Sequence, residues 1–270
     1  MIGVFDSGFG GLTVLKELLR VLPRYDYIYL GDSARAPYGS KSPETIYEYT
    51  RQAVEFLFEK NCQLVVLACN SASAGALRKI QQEWLPKHYP RRRVLGVIVP
   101  TVETATDLSL THKIGVIGTR ATLASKTYQY ELRKISPRFK IYEQACPLLV
   151  PLIEEGWARE KETGTILKKY LRPLQAKKID TLILGCTHYP ILLAHIKKVM
   201  GKKVKVLDSP RVVAVKLADY LKRHPEIEKK LKKSGKRVYF TTDDPKKFKK
   251  LGRQFLKKPI RQIEKIHLHD

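Results

Sequence analysis

The chain has 270 residues, 43% of them hydrophobic, which is enough to bury one large core or two compact ones. It carries 51 basic and 26 acidic residues, for a net charge of +25. No stretch approaches the roughly 20 apolar residues that span a bilayer, and the first residues lack the basic region of a signal peptide. The sequence therefore predicts a cytoplasmic protein without a membrane anchor.

Short β-branched segments alternate with longer amphipathic stretches along the whole chain. The predicted strands cover residues 1–6, 26–31, 63–69, 94–99, 113–118, 139–143, 180–185, 203–207 and 237–241. Several are continuously apolar, such as 64–67 and 181–184, as is typical of parallel strands covered on both faces. Leu12, Leu15 and Leu18 recur at helical spacing between the first two strands. The pattern predicts an α/β fold, doubly wound, with mainly parallel sheets.

The pattern also repeats along the chain. Three segments recur in kind and in the same order, residues 1–7 at 113–119, 64–70 at 181–187, and 94–100 at 204–210. Chance could supply one such match but hardly all three, so the chain is predicted to contain a duplicated α/β unit. The expected division is a first domain of residues 1–97 plus 210–270 and a second of 98–209. We expect the active site in the cleft between these two pseudo-symmetric domains.

Four cysteines occur, and their spacing forms neither a CxxC pair nor a zinc site. Cys69 and Cys186 follow equivalent strands of the two repeats, each at a predicted strand-to-helix turn. A helix N-terminus favours the thiolate through its dipole and free amides, so a lowered pKa is expected for both thiols. Cys62 and Cys146 lack this setting and are predicted to be core residues.

The residues that follow these cysteines have helix-starting chemistry. Asn70 and Ser71 are predicted helix caps, and Pro190 suits a first helical turn. His188 lies close enough in sequence to Cys186 to favour its thiolate further. Because ligands of open parallel sheets bind beyond the carboxyl ends of the strands, the two cysteines are expected on opposite walls of one cleft.

Three more turns are predicted at the same edge. They are Asp6-Ser7-Gly8-Phe9-Gly10-Gly11, Pro37-Tyr38-Gly39 and Gly118-Thr119-Arg120-Ala121-Thr122. The first turn is neither a dinucleotide-binding motif nor a P-loop, although its glycines let a ligand approach the backbone. Several helix N-termini and hydroxyls at one cleft would suit a small anion.

Together these motifs resemble the glutamate racemase family. The resemblance is carried by two of these turns, 6–11 and 37–39, by 68–73 and 185–190, by 146–156, and by the tail from 238 to 256. It covers nearly the whole chain in order. It implies a homodimeric enzyme, without cofactor or metal, that interconverts L- and D-glutamate and supplies D-glutamate for peptidoglycan.

Carried over position by position, the resemblance implies two acid/base residues. Cys69 would deprotonate D-glutamate with help from Asp6, and Cys186 would deprotonate L-glutamate with help from Glu154 and His188. The implied substrate-binding residues are Asp6, Ser7, Tyr38, Gly39, Asn70, Ser71, Thr119, Thr187 and His188. The family commonly has threonine at position 71. Because serine keeps the hydroxyl, only a small change in affinity is expected.

Other functions compete with this one. An aspartate or hydantoin racemase would also use two cysteines. The length of the substrate pocket distinguishes such an enzyme from a glutamate racemase. A thiol hydrolase could pair Cys186 with His188, although residues two apart rarely face each other and Cys69 would have no role.

A nucleic-acid or polyanion partner is the alternative from a different class. The basic C-terminal third, with runs at 229–233 and 246–250, could bind one, but these runs are predicted instead to be the solvated faces of amphipathic helices. The last four residues, 267–270, could bind a metal, but a frayed terminus is expected.

Overall fold

The strands form two separate parallel sheets in the computed structural model, which describes residues 1–268. The strands are β1 Ile2–Asp6, β2 Tyr27–Gly31, β3 Leu64–Leu67, β4 Arg93–Gly96, β5 Lys113–Gly118, β6 Lys140–Ala145, β7 Thr181–Gly185, β8 Lys205–Val206, β9 Arg237–Thr241 and β10 Glu264–Lys265. All nine predicted strands are present, and the parallel α/β fold is confirmed.

Helices connect nearly all of these strands. The α-helices are α1 Leu12–Val21, α2 Pro43–Glu59, α3 Asn70–Gly75, α4 Leu77–Lys79, α5 Leu85–His88, α6 Ile98–Leu108, α7 Arg120–Ala124, α8 Thr127–Ile135, α9 Leu149–Glu154, α10 Lys161–Ala176, α11 Leu193–Met200, α12 Ser209–Arg223, α13 Pro225–Glu228 and α14 Pro245–Leu256. A π-helical turn covers Ile80–Trp84, and 3₁₀ turns cover Ser33–Arg35, Tyr38–Ser40, Trp157–Arg159 and Tyr189–Leu192.

The order of the strands explains the sequence repeat. The first sheet runs β10-β9-β2-β1-β3-β4 and the second runs β6-β5-β7-β8. The segment β2-β1-β3-β4 therefore has the same order as β6-β5-β7-β8, with β1 equivalent to β5 and β3 equivalent to β7. The strands preceding the two cysteines occupy equivalent places, as the pseudo-symmetric fold predicts. The domain bounds 1–97 plus 210–270 and 98–209 stay a prediction. They are compatible with the strands that each sheet contains.

Apolar side chains cover both faces of the first sheet. Within β3, Leu64 and Val66 belong to one core cluster, whereas Val65 and Leu67 belong to another. Alternate residues of a strand point to opposite faces, so α1 packs on one face and α2 on the other. The uninterrupted apolar run in the sequence follows directly from this double burial.

The second unit contacts the first through buried polar groups as well as apolar ones. The hydroxyl of Thr13, in the first turn of α1, lies 2.9 Å from the carbonyl oxygen of Thr187 and 2.8 Å from that of Gly10. It donates its hydrogen to these two acceptors on opposite sides of the interface. The turn after β1 is thereby fixed against the turn after β7.

The structure corrects three sequence expectations. The two-residue strand β10 has no counterpart among the predicted strands, because Glu264–Lys265 carries no apolar periodicity. The basic run 229–233 follows the short helix α13 in turns and irregular structure, whereas 246–250 lies within α14 as predicted. Residues 98–99 begin α6 rather than ending β4.

Residues 1–268 contain no helix long and apolar enough to cross a membrane. The same residues hold no cluster of three or more metal-ligating acidic, histidine or cysteine side chains. The possible metal site and the frayed terminus considered for residues 267–270 involve positions 269 and 270, which lie outside the described residues.

Candidate active site

A cavity of about 360 Å³ opens where the carboxyl ends of the two sheets face each other. Eleven of the twelve predicted site residues line it, namely Ser7, Tyr38, Gly39, Cys69, Asn70, Ser71, Thr119, Glu154, Cys186, Thr187 and His188. The twelfth, Asp6, is fully buried at the end of β1. The fold thus brings together turns that are far apart in sequence.

Cys69 caps α3 on one wall of the cavity. The helix begins at Asn70, so the cysteine itself occupies the capping position that the sequence assigned to Asn70 and Ser71. The hydroxyl of Ser7, from the turn after β1, lies 3.5 Å from the Cys69 sulfur. Cys69 as a residue is only 6% exposed.

Burial and the nearby carboxyl group of Asp6 raise the pKa of the Cys69 thiol to about 12. The hydrogen bonds from Ser7 and from the amide of Ala72 oppose this shift without cancelling it. The expectation of a lowered pKa at Cys69 is therefore wrong, because desolvation of a thiolate outweighs the stabilising donors at a helix N-terminus. At neutral pH this raised pKa favours the protonated thiol.

Cys186 stands on the opposite wall and begins a hydrogen-bonded chain. Its sulfur lies 3.8 Å from Nδ1 of His188, and Nε2 of His188 lies 2.9 Å from a carboxylate oxygen of Glu154. The two residues face each other despite their short separation, because the chain enters the 3₁₀ turn Tyr189–Leu192 directly after His188. Pro190 lies in the first turn of that segment, as predicted.

The imidazole of His188 is buried, and burial alone lowers its pKa. The hydrogen bonds to Cys186 and Glu154 outweigh this effect and raise the pKa of His188 to about 10. A protonated imidazole donates from both nitrogens, so it can bond the sulfur and the carboxylate at once. The second wall therefore presents a positive charge to its cysteine, in contrast to the Asp6 side of the cleft.

The carboxyl group of Asp6 lies beneath the cavity floor. It accepts a hydrogen bond from the amide of Gly8 at 3.0 Å and one from the hydroxyl of Thr187 at 3.3 Å. Burial raises the pKa of the Asp6 carboxyl group above its ordinary value, and His188 and these donors oppose the shift only in part. Within residues 1–268 Asp6 makes no hydrogen bond to Cys69, so it acts on that thiol through its charge.

The remaining polar groups are held in fixed orientations. The hydroxyl of Tyr128 donates to Oδ1 of Asn70 at 2.7 Å, which leaves the amide nitrogen of Asn70 as the group available to a ligand. The Ser71 hydroxyl lies 3.0 Å from that of Thr119 and 3.1 Å from that of Thr122. These contacts join the two units across the cleft.

Tyr38 and Gly39 line the cavity from the 3₁₀ turn Tyr38–Ser40. The phenol of Tyr38 donates to the buried carboxylate of Asp32, which fixes the 3₁₀ turn that contains both residues. A Cβ added at Gly39 would lie 2.6 Å from Cβ of Thr119. Only glycine allows this approach between the two units.

Sequence reasoning missed several residues that shape the site. Tyr128, in α8, orients Asn70 through its hydroxyl group. In the sequence it looks like any apolar residue of an amphipathic helix. Arg120 and Lys247 also line the cavity. In the sequence Arg120 belongs to a predicted turn and Lys247 to a basic run, but a sequence pattern does not show which residue faces a cleft. Cys62 and Cys146 are buried, as predicted.

The close packing around His188 generates a test at Gly10. A Cβ at this position would lie 2.4 Å from Nδ1 of His188 and 2.3 Å from the Thr187 hydroxyl. We expect Gly10→Ala to displace the imidazole and lower its titration midpoint by more than about one unit, toward the ordinary value near 6.5. NMR titration of the histidine ring measures this, with Gly164→Ala as control because its Cβ meets nothing within 4 Å. An unchanged midpoint in Gly10→Ala would contradict the packing.

Comparison with known proteins shows which family has this sequence and fold. The model of the Asp/Glu/hydantoin racemase family matches residues 2–217. The glutamate racemase of Geobacter metallireducens is 41% identical over 268 residues, covering 99% of this chain and 96% of its own length.

Solved structures agree with the sequence comparison. A glutamate racemase isoform from Bacillus anthracis superposes with a TM-score of 0.91 at 34% identity, covering 99% of this chain and 97% of its own. The glutamate racemase of Francisella tularensis, crystallised with D-glutamate, gives 0.89 at 36% identity with the same coverage. Neither the polyanion-binding nor the thiol hydrolase alternative is favoured by these similarities. Because the family model covers most of the chain and its relatives match it over nearly their full length, this chain belongs to the Asp/Glu/hydantoin racemase family.

Proposed function

We propose that this protein is a glutamate racemase that moves the α-proton between two cysteines, without cofactor or metal. The observation that supports it most strongly is the pair of buried thiols, Cys69 and Cys186, on opposite walls of one cavity. Racemisation needs a base on one face of the α-carbon and an acid on the other. The two equivalent strands supply one thiol for each face.

With L-glutamate, the thiolate of Cys186 removes the α-proton and becomes a thiol. The electron pair of the broken C–H bond moves into the α-carboxylate, which becomes enediolate-like. The thiol of Cys69 then gives its proton to the opposite face of the α-carbon and is left as the thiolate. The reaction with D-glutamate runs through the same steps in reverse.

The differing environments of the two thiols support a resting state with Cys69 protonated. The raised pKa of Cys69 favours its protonated form, whereas the sulfur of Cys186 faces the ring of His188, whose pKa is raised to about 10. Glu154 fixes the orientation of the His188 ring through Nε2. This state is ready to accept L-glutamate.

The charge that develops on the substrate carboxylate needs fixed donors in a water-poor site. The Asn70 amide and the hydroxyls of Ser71 and Thr187 are the groups we assign to the α-carboxylate. Ser7 lines the cavity on the same side as Cys69 and suits the substrate ammonium group, and the carboxyl group of Asp6, buried beneath the cavity floor, adds its charge there from below. Thr119, His188, Tyr38 and Gly39 complete the binding residues, with the last two closing the distal end.

The aspartate racemase alternative within the family is not favoured by these similarities. Full-length similarity to glutamate racemases supports glutamate, and a comparison of racemisation rates on the two amino acids decides between them. We further propose a cytoplasmic homodimer that supplies D-glutamate for peptidoglycan.

Each cysteine is expected to be indispensable. Cys69→Ser and Cys186→Ser should each lower steady-state racemisation at least 10³-fold (about 4 kcal/mol or more of transition-state stabilisation), since a hydroxyl is far too weak an acid to replace a thiol. Circular dichroism with each enantiomer measures the rate. Cys62→Ser, at a buried thiol outside the cavity, is the control expected to keep activity if it folds. Full activity in either active-site variant would refute the two-base mechanism.

The pH dependence follows from the shared proton of the two thiols. Because the equilibrium constant between enantiomers is one, kcat/KM must be equal for both at every pH, with apparent pKa values that belong to the pair. The acid function of Cys69 is lost only as pH rises through its raised pKa, so the alkaline limb should lie above about pH 9. A fall centred near 8.5, the value of an ordinary thiol, would contradict this assignment.

A further inference from the structure

The imidazole of His188 is packed on several sides, and one of its contacts has no part in the mechanism described above. Its two ring nitrogens face Cys186 and Glu154, and Gly10 lies too close on another side to accept a Cβ. The ring of Phe255 packs against the imidazole nearly at right angles, with centroids 5.2 Å apart and an interplanar angle of 83°. Phe255 is itself only 2% exposed.

Phe255 belongs to α14, the last helix of the chain. The same helix is anchored by Phe248, whose ring lies 5.2 Å from that of Phe9 and 6.0 Å from that of Tyr29. Phe9 is part of the turn that follows β1 and carries Ser7 and Gly8. The helix is thus fixed to one wall of the cleft and contacts the histidine of the other.

The contact matters because the ring torsion of a histidine is soft. Rotation about the bond from Cβ to the ring has broad, roughly two-fold preferences, so hydrogen bonds alone define the ring plane weakly. A large rotation would take Nδ1 away from Cys186 and Nε2 away from Glu154 together. A rigid aromatic ring set perpendicular to the imidazole blocks that rotation.

We propose that Phe255 is a positioning residue for the racemase reaction, which holds the imidazole plane so that His188 bonds Cys186 and Glu154 at once. The inference rests on the proposed function and assigns α14 a part in it. Among the residues that the structure describes, Phe255 is not part of the cavity lining, so we expect it to act through His188.

The test replaces Phe255 with leucine, which stays apolar and buried but lacks the flat ring. Since a misplacement of about 1 Å can cost on the order of 10²-fold in rate, kcat should fall at least tenfold while KM changes less than about twofold. The NMR titration midpoint of His188 should also fall from about 10, because its two hydrogen bonds raise it. The signal is assigned by its loss in His188→Gln.

Phe58→Leu is the matched control. Phe58 is fully buried in the other core cluster and packs on Tyr89 with centroids 4.9 Å apart. The Phe58→Leu variant should lose about as much thermal stability as Phe255→Leu. Its kcat and the titration midpoint of His188 should stay at the wild-type values. Phe255→Tyr retains the ring and should stay within about threefold of the wild-type kcat, and Phe255→Met replaces the leucine variant if that variant does not fold.

Wild-type kcat and an unmoved His188 midpoint in Phe255→Leu or Phe255→Met would overturn the proposal, as would an equal loss in Phe58→Leu. If the wild-type protein racemises no amino acid, the proposed function fails. The histidine titration in the same variants still decides whether Phe255 positions the ring.

Discussion

The structure depends on the burial of two thiols, Cys69 and Cys186, to which we assign the exchanging roles of acid and base. A thiolate without solvent is costly, so each cysteine needs compensating groups, and those groups differ. At Cys69, burial and the nearby carboxyl group of Asp6 keep the proton on the thiol, and the hydrogen bond from the Ser7 hydroxyl only partly opposes them. Cys186 meets an imidazole whose far nitrogen is held by a carboxylate.

This chemical asymmetry sits within a symmetric frame. The two sheets share one strand order across four strands, and each places a cysteine just beyond the equivalent strand. Duplication of one α/β unit by itself places a cysteine on each of two opposing walls. The surrounding turns differ between the two units, so the two cysteines have different neighbours. The glycines at positions 10 and 39 allow those turns to approach groups of the other unit more closely than any side chain would permit.

The fold was largely readable from the sequence because its signals are local or repeated. Apolar runs such as 64–67 mark doubly covered strands, and the repeat relates β1 to β5 and β3 to β7 before any coordinates are known. The environment of Cys69 could not be read in this way, since its pKa depends on how far the cleft excludes water. The contacts of Tyr128 with Asn70 and of Phe255 with His188 join residues far apart in sequence, and no pattern within either segment reveals its partner.

The central claim is that two thiols act from opposite faces of the α-carbon. The most direct measurement incubates the protein with L-glutamate in D2O, with EDTA and without pyridoxal phosphate, and follows optical rotation and α-deuterium together. The account predicts that at low conversion the D-glutamate formed carries deuterium while the remaining L-glutamate keeps its protium. Racemisation in which D-glutamate retains the substrate's own proton would contradict two opposed bases, and the absence of both rotation change and exchange would contradict glutamate racemisation itself.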